Sequence, residues 1–423
     1  MPSLDPQIVR RWITVPAPRF VGGNRVELLE GGDALFPRMR EAMAAARDEI
    51  WLATYIFHDD ASALALMDAL AAAARRGVAV HVVVDGFGAK ATLPVLRERL
   101  VPAGVALEVF RPIERWYAWL QPGQLRRLHQ KLCVCDDQVA FVGGINLIDD
   151  RLDLHHGWSE RPRLDYAVEC RGPLALAVHA TARAMWARAH LLHGWREGVR
   201  RVAHARRPVD ETVALLRQLR GAARLPGGAD AQPVRAAFVV RDNLRQRRAI
   251  ERSYVEAIRG ARASVDIAVP YFYPGRVFRR VLRHAAHRGV RVRLLLQGKV
   301  DYRIAALAAR ALYDELRGHG VRIFEYEAAF LHAKVAVVDD GWATVGSSNI
   351  DPLSLLLNLE ANVIVDDAEF AHALRAHFEH ALADSVEVRG EALRPGWRGW
   401  LQRASVAWAA NIYLRVAGMT GRY

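Results

Sequence analysis

His129-Gln130-Lys131-Leu132-Cys133-Val134-Cys135-Asp136 recurs in the second half of the chain as His332-Ala333-Lys334-Val335-Ala336-Val337-Val338-Asp339. Both copies read His-x-Lys-x4-Asp, and both continue to a Gly fourteen residues and an Asn seventeen residues after the His: Gly143 and Asn146, Gly346 and Asn349. Chance does not explain the pair. The chain has 16 histidines, 25 aspartates and only four lysines against 55 arginines. With those frequencies an accidental match is expected roughly 0.01 times. Two occur, and they take up half of the lysines.

The spacing has a physical sense. On an extended strand, residues i and i+2 face the same way, so each motif presents an imidazole beside a compact ammonium. The Leu, Val, Ala and Cys residues that follow anchor the strand. A lysine is a point charge with rotatable donors, suited to a phosphate oxygen. We therefore take His129, Lys131, Asp136, His332, Lys334 and Asp339 as the catalytic candidates. Asp136 and Asp339 fall at strand ends, placed to balance local charge or to hold the backbone of the other half. Asn146, Asn349, Ser347 and Ser348 add phosphate-directed donors.

Around the motifs the chain repeats itself. A helical pattern over Ala34–Arg47 leads to the apolar run Ile50–Phe57. A second helix ends at Arg76-Gly77, and Val78–Val84 is a strand closed by Asp85-Gly86. The second half repeats this order: helix Tyr254–Arg262, apolar run Val265–Val269, a helix ending at Arg288-Gly289, and strand Val290–Leu296 closed by Gln297-Gly298. Strands alternating with helices predict an α/β protein of two similar α/β/α sandwich halves with parallel-rich sheets. We set the halves at 24–205 and 233–390, a basic, Gly/Pro-containing linker at 206–232, and a C-terminal segment at 391–423.

Composition bounds the rest. A net charge of +13 over 423 residues points to an anionic partner, nucleic acid and anionic lipid headgroups both qualifying. Met1–Arg11 lacks the apolar core of a secretory signal, and no run reaches the ~20 apolar residues of a membrane span. The three cysteines, Cys133, Cys135 and Cys170, read as buried thiols. No cysteine pair at zinc spacing and no H-E-x-x-H occurs, so neither metal nor cofactor is expected. Two segments mix aromatic with basic residues in the manner of membrane-surface elements: 111–127, with Trp116, Trp119 and Arg127, and 397–415, with Trp400, Trp408 and Arg415. Packing on the protein core explains each equally well.

At these motifs the sequence resembles the phospholipase D superfamily, over most of the chain. The run Gly346-Ser347-Ser348-Asn349-Ile350-Asp351-Pro352 through Asn358-Leu359-Glu360-Ala361-Asn362 resembles the bacterial cardiolipin synthase branch. Gly143-Gly144-Ile145-Asn146 and Leu164-Asp165-Tyr166-Ala167-Val168 are similar to its first-half counterparts. The resemblance implies two halves related by a pseudo-twofold around one shared active site, with no metal. It implies His129 as nucleophile, His332 as general acid and then base, and Asp165 and Glu360 as the groups orienting them. It further implies a phosphatidyltransferase: a phosphatidyl group moves from one phosphatidylglycerol to the headgroup hydroxyl of a second phospholipid through a phosphohistidine, releasing glycerol. The expected partner is an anionic membrane containing phosphatidylglycerol and cardiolipin, met peripherally on the cytoplasmic face of a bacterial cell membrane, with no nucleic acid. A phospholipase D-type hydrolase, or a phosphodiesterase acting on nucleic acid, is the alternative reading of the same residues.

Overall fold

In the computed structural model, residues 18–113, 126–154, 156–201, 234–242, 246–299, 309–310, 312–351, 354–355 and 358–389 are described. The first half runs β1 (Val21–Glu30), α1 (Gly31–Ala45), β2 (Glu49–Thr54), α2 (Ala61–Arg75), β3 (Ala79–Asp85), α3 (Leu93–Leu100) and β4 (Ala106–Phe110). It continues through β5 (Leu132–Cys135), β6 (Val139–Gly143), β7 (Leu152–Asp153), β8 (Gly157–Trp158), β9 (Tyr166–Arg171) and α4 (Pro173–Arg201). The second half repeats the plan with β10 (Val234–Arg241), α5 (Ala249–Gly260), β11 (Ser264–Ala268), α6 (Arg276–His287), β12 (Arg291–Gln297), α7 (Tyr313–Arg317) and β13 (Arg322–Tyr326). It then adds β14 (Val335–Val338), β15 (Trp342–Gly346), β16 (Glu360–Asp366), α8 (Ala368–Ala383) and β17 (Ser385–Glu387). The expected 206–232 and 391–423 segments lie outside the described residues.

The strands are apolar on both faces because both faces are covered. On β5, Leu132 and Val134 enter a core with α4 and α8, while Cys133 and Cys135 enter another with α1, α2 and α3. On β14, Val335 and Val337 share the first of these cores, and Ala336 and Val338 pack with α5, α6 and α7. One continuous core thus underlies both halves on one face of the sheet, and each half has its own core on the other. The three cysteines are free and buried. Asp60 caps α2 through the Ala63 N–H, and Asp367 caps α8 through Phe370 N–H.

The two halves are joined more closely than a linker requires. Their strands form one fifteen-stranded sheet, ordered β17-β13-β12-β11-β14-β15-β16-β10-β1-β9-β6-β5-β2-β3-β4. The seam is the antiparallel pair β1·β10. Buried Asn24 fixes it, donating to Val21 O (2.8 Å) and Val234 O (3.2 Å) and accepting from the Leu174 N–H (2.9 Å). The sheet is less parallel than the sequence predicts. Among the described strands, only β2·β3·β4 and β11·β12·β13 run parallel. The motif strands β5 and β14 instead turn straight back as hairpins with β6 and β15, connections too short for a parallel crossover.

Candidate active site

Each motif histidine stands in an extended approach to its strand, and each approach is paired with the opposite half. His129 N donates to Leu359 O (3.0 Å) and Leu359 N to Arg127 O (2.9 Å); His332 N donates to Leu164 O (2.8 Å) and Leu164 N to Phe330 O (2.9 Å). A second device holds the residue just before each His. Asp85, closing β3, accepts the Leu128 N–H at 2.9 Å, and Gln297, closing β12, accepts the Leu331 N–H at 2.6 Å. The sequence marks both residues only as strand ends. Burial pushes Asp85 up to about 6 against the opposing charge of Arg127.

The side chains cross in the same way. His129 Nδ1 lies 3.0 Å from Glu360 Oε2, and His332 Nδ1 lies 2.6 Å from Asp165 Oδ2. A carboxylate only accepts, so it places the imidazole proton on Nδ1 and leaves the Nε2 lone pair for chemistry. Asp165 and Glu360 are therefore where the orienting role needs them, each supplied by the half that lacks the histidine it holds. Tyr55, which sequence reasoning leaves inside an apolar run, packs its ring 5.0 Å from that of His129, with Lys131 Nζ 5.5 Å from its centroid.

Both lysines are buried and fold back on their own motif. Lys131 Nζ donates to His129 O at 2.8 Å, and Lys334 Nζ to His332 O. Burial pulls Lys131 down to about 7 and Lys334 to about 8, with Glu360 and Asp165 opposing the shift. Burial also lowers His129, against Glu360, and lowers His332 further, with Lys334 and Arg163 adding to the effect. Burial pushes Asp165 up to about 6. Burial raises Glu360 as well, but His129, Lys131 and the Ser347 hydroxyl outweigh it and leave this carboxyl lowered. Two ammoniums balance two carboxylates; a phosphodiester adds one negative charge, which a single imidazolium neutralises.

The remaining candidates divide. Asn146 and Asn349 are buried at matching positions, and the Oδ1 of each has no hydrogen-bond partner. What is left over on both sides of the site is acceptor capacity, suited to a substrate hydroxyl and not to a phosphate oxygen. Ser347 and Ser348 are corrected. The Ser347 hydroxyl donates to Glu360 Oε2 (2.6 Å) and accepts from Ala361 N (3.0 Å), while Ser348 Oγ donates to Asn349 O (3.2 Å). A hydroxyl has one proton, and here each proton already serves the protein. In the first half Gly144 replaces Ser347, because a Cβ there would stand 2.3 Å from Asp165 Oδ1.

Asp136 and Asp339 are corrected more substantially. They sit at the far ends of β5 and β14 from the histidines, each with a left-handed backbone (φ 51° and 49°). Asp136 accepts the N–H groups of Arg47, Asp48 and Glu49, and Asp339 those of Arg262, Ala263 and Ser264. These belong to their own halves, not the opposite ones. Each aspartate ties the motif hairpin to the start of the neighbouring strand. Arg127, at the end of the 111–127 segment that the sequence leaves between a membrane surface and the core, is buried with Nη1 3.7 Å from Asp85. Most of the 111–127 segment and all of 397–415 lie outside the described residues. Among those described, no helix is long and apolar enough to cross a membrane. One group has metal-ligand spacing among them, Glu49, Asp137 and His179, on the α4 side of the sheet. Its imidazole stands between the acids, Nε2 3.1 Å from Glu49 Oε1 and Nδ1 2.5 Å from Asp137 Oδ1.

Fold and site together define a duplicated phosphodiester-handling enzyme of the phospholipase D type. The family model described as cardiolipin synthase, PLD-like domain, matches residues 39–157 and 254–382, and the chain belongs to that family. It is 36% identical over 394 residues to cardiolipin synthase B of Escherichia coli strain K12, covering 91% of this chain and 86% of that protein. Cardiolipin synthase A of Pseudomonas putida is 31% identical over 373 residues, 87% of this chain and 71% of its own. The structure of phosphatidylserine synthase from Haemophilus influenzae aligns with a TM-score of 0.64 at 12% identity, over 97% of this chain and 99% of that one, and shows the same fold.

Proposed function

We propose that this protein is a cardiolipin synthase that transfers a phosphatidyl group from phosphatidylglycerol to the headgroup hydroxyl of a second phospholipid. The observation that carries the reading is the crossed pair of dyads, His129–Glu360 and His332–Asp165, with a buried lysine beside each. Two imidazoles whose Nε2 atoms are left for chemistry, set beside two lysines, suit a displacement at phosphorus, one as nucleophile and one as acid.

In the first step the neutral His129 Nε2 attacks phosphorus and forms an N–P bond. The P–O bond to glycerol breaks, and protonated His332 delivers its Nε2 proton to the leaving oxygen. Glycerol departs. In the second step a hydroxyl of the incoming phospholipid gives its proton to His332 and attacks phosphorus. The N–P bond breaks and His129 is restored. Lys131 and Lys334 offset charge on the non-bridging oxygens, while the amide oxygens of Asn146 and Asn349 accept from substrate hydroxyls. The donor and acceptor come from an anionic bilayer, which a chain of charge +13 approaches peripherally on the cytoplasmic face.

The test is incubation with phosphatidylglycerol labelled in its headgroup and acyl chains. The expected products are cardiolipin and free labelled glycerol, with an acid-labile, base-stable phospho-adduct mapped to His129. Phosphatidic acid without cardiolipin would instead establish water as the acceptor. Cleavage of DNA in the same preparation, lost with His129→Ala, would transfer the reading to nucleic acid.

A further inference from the structure

The two dyads share a plan but differ in their surroundings. Behind Asp165 lies Asp150, a carboxyl 7% exposed that the displacement chemistry does not use. Its Oδ2 accepts the Gly32 N–H in the first turn of α1, and its backbone oxygen accepts the Arg163 N–H at 2.8 Å. The adjacent Gly31 N–H donates to Asp165 O at 2.9 Å. Arg163, Leu164 and Asp165 are therefore fastened on both sides, to α1 and Asp150 on one and to Phe330 and His332 on the other. Gly31 is required for this closure. It sits at φ +69°, and a Cβ on it would stand 2.8 Å from Asp150 Oδ2.

The side chain also borders a cavity whose lining includes neither motif histidine. A cavity of ≈ 630 Å³ between the halves is lined by Asp150 together with Arg163, Leu164 and Tyr326. The charged and titratable groups facing Asp150 are Asp165 and Arg163, Asp33 on α1, and, around the cavity, Glu30, Arg161, His377, His380 and Asp384. Four of these are paired across the seam, Arg161 with Asp384 (3.3 Å) and His377 with Glu30 (2.6 Å), which leaves His380 on the cavity wall and Asp165, Arg163 and Asp33 as the nearest influences.

We propose that Asp150 is a positioning residue for the second dyad: it clamps the first turn of α1 onto the Arg163–Asp165 segment, and its charge governs how firmly the Asp165–His332 pair keeps its proton. The proposal rests on His332 acting as the acid. Burial brings Asp150 up to about 7, the Gly32 hydrogen bond opposing and the charge of Asp165 adding, so the group changes charge across the neutral range. Ionised Asp150 adds negative charge beside the pair and favours the imidazolium form of His332.

The test is Asp150→Asn, which keeps an oxygen for the Gly32 N–H and removes the charge, studied in the full chain with phosphatidylglycerol vesicles. The alkaline limb of kcat should move to lower pH by roughly half a unit or more, with KM little changed. Glu41→Gln, exposed on the same helix and away from the cavity, should leave the limb in place. The second measurement is the NMR titration of 15N-labelled His332 in the unmodified protein, where a second inflection from Asp150 is expected and should vanish in Asp150→Asn. An unmoved limb together with a single-step His332 titration overturns the proposal. If Asp150→Asn does not fold, the inflection in the unmodified protein decides alone. If the unmodified protein transfers no phosphatidyl group, the reading of its activity fails, while the His332 titration still reports on Asp150.

Discussion

At the residue scale the decisive feature is that two chemically identical histidines occupy unequal electrostatic settings. In the free site His332 is held lower than the ordinary histidine range by burial, Lys334 and Arg163, and His129 is lowered less, with Glu360 opposing. A bound phosphodiester places a negative charge beside both and restores the imidazolium that the acid needs. The alkaline limb of kcat, which reports the complex, should therefore lie at higher pH than that of kcat/KM, which reports the free enzyme. Coincident limbs in the two profiles would contradict the argument. His129→Ala should abolish the phospho-adduct and reduce turnover by roughly 10³-fold or more. Adding His332→Ala should reduce it little further, since the two act as one unit.

At the scale of elements, the motif aspartates show how a residue joins a catalytic signature without touching the reaction. A hairpin that must turn within three residues of β5 needs a left-handed backbone, which Asp tolerates better than most residues. Its carboxylate then accepts three backbone N–H groups at the start of β2. Asp136→Ala should lower stability by about 1–3 kcal/mol, seen in urea unfolding. Activity should fall with the loss of folded protein, while KM of the surviving fraction stays close to its original value. Burial is the largest single influence and raises Asp136, but the hydrogen bonds from Glu49, Arg47 and Asp48 together outweigh it, and the net shift is downward. A lowered carboxyl stabilises the fold above its unfolded pKa and loses that contribution as pH falls through the folded value. The difference between Asp136→Ala and the unmodified chain should consequently shrink on acidification below the ordinary aspartate range. Much of this layer was legible beforehand. The strands around Ile50, Val78, Val265 and Val290 lie where their apolar runs indicate. The antiparallel middle of the sheet was not, because an apolar run signals burial on both faces and not the direction of its neighbour.

At the scale of the whole molecule, neither half contains a working site. His129 pairs with Glu360 and His332 with Asp165, so each motif imidazole is held across the seam. Glu360→Gln should chiefly slow adduct formation. Asp165→Asn should slow that same step, in which His332 protonates the departing glycerol, and also the attack of the second lipid, in which His332 takes the proton. Each loss is expected at roughly 10²- to 10⁴-fold, the range for removing a carboxylate that fixes a catalytic imidazole. Rapid-quench measurement of the two steps separates them. Equal effects of both substitutions on both steps would show that the dyads do not divide the roles.

The two His-x-Lys-x4-Asp copies, set in repeated flanks and built from scarce lysines, determined by themselves the duplication, the reaction class and the six residues to inspect. Local spacing carries that much, because His and Lys two apart share one side of an extended chain. Which carboxylate serves which histidine, the backbone role of Asp136 and Asp339, the commitment of Ser347 to Glu360, and the presence of Asp150 behind Asp165 were decided only in three dimensions. Those partners lie up to 231 residues apart in the chain. They meet because β1 and β10 close fifteen strands into one sheet and bring each motif against the opposite half.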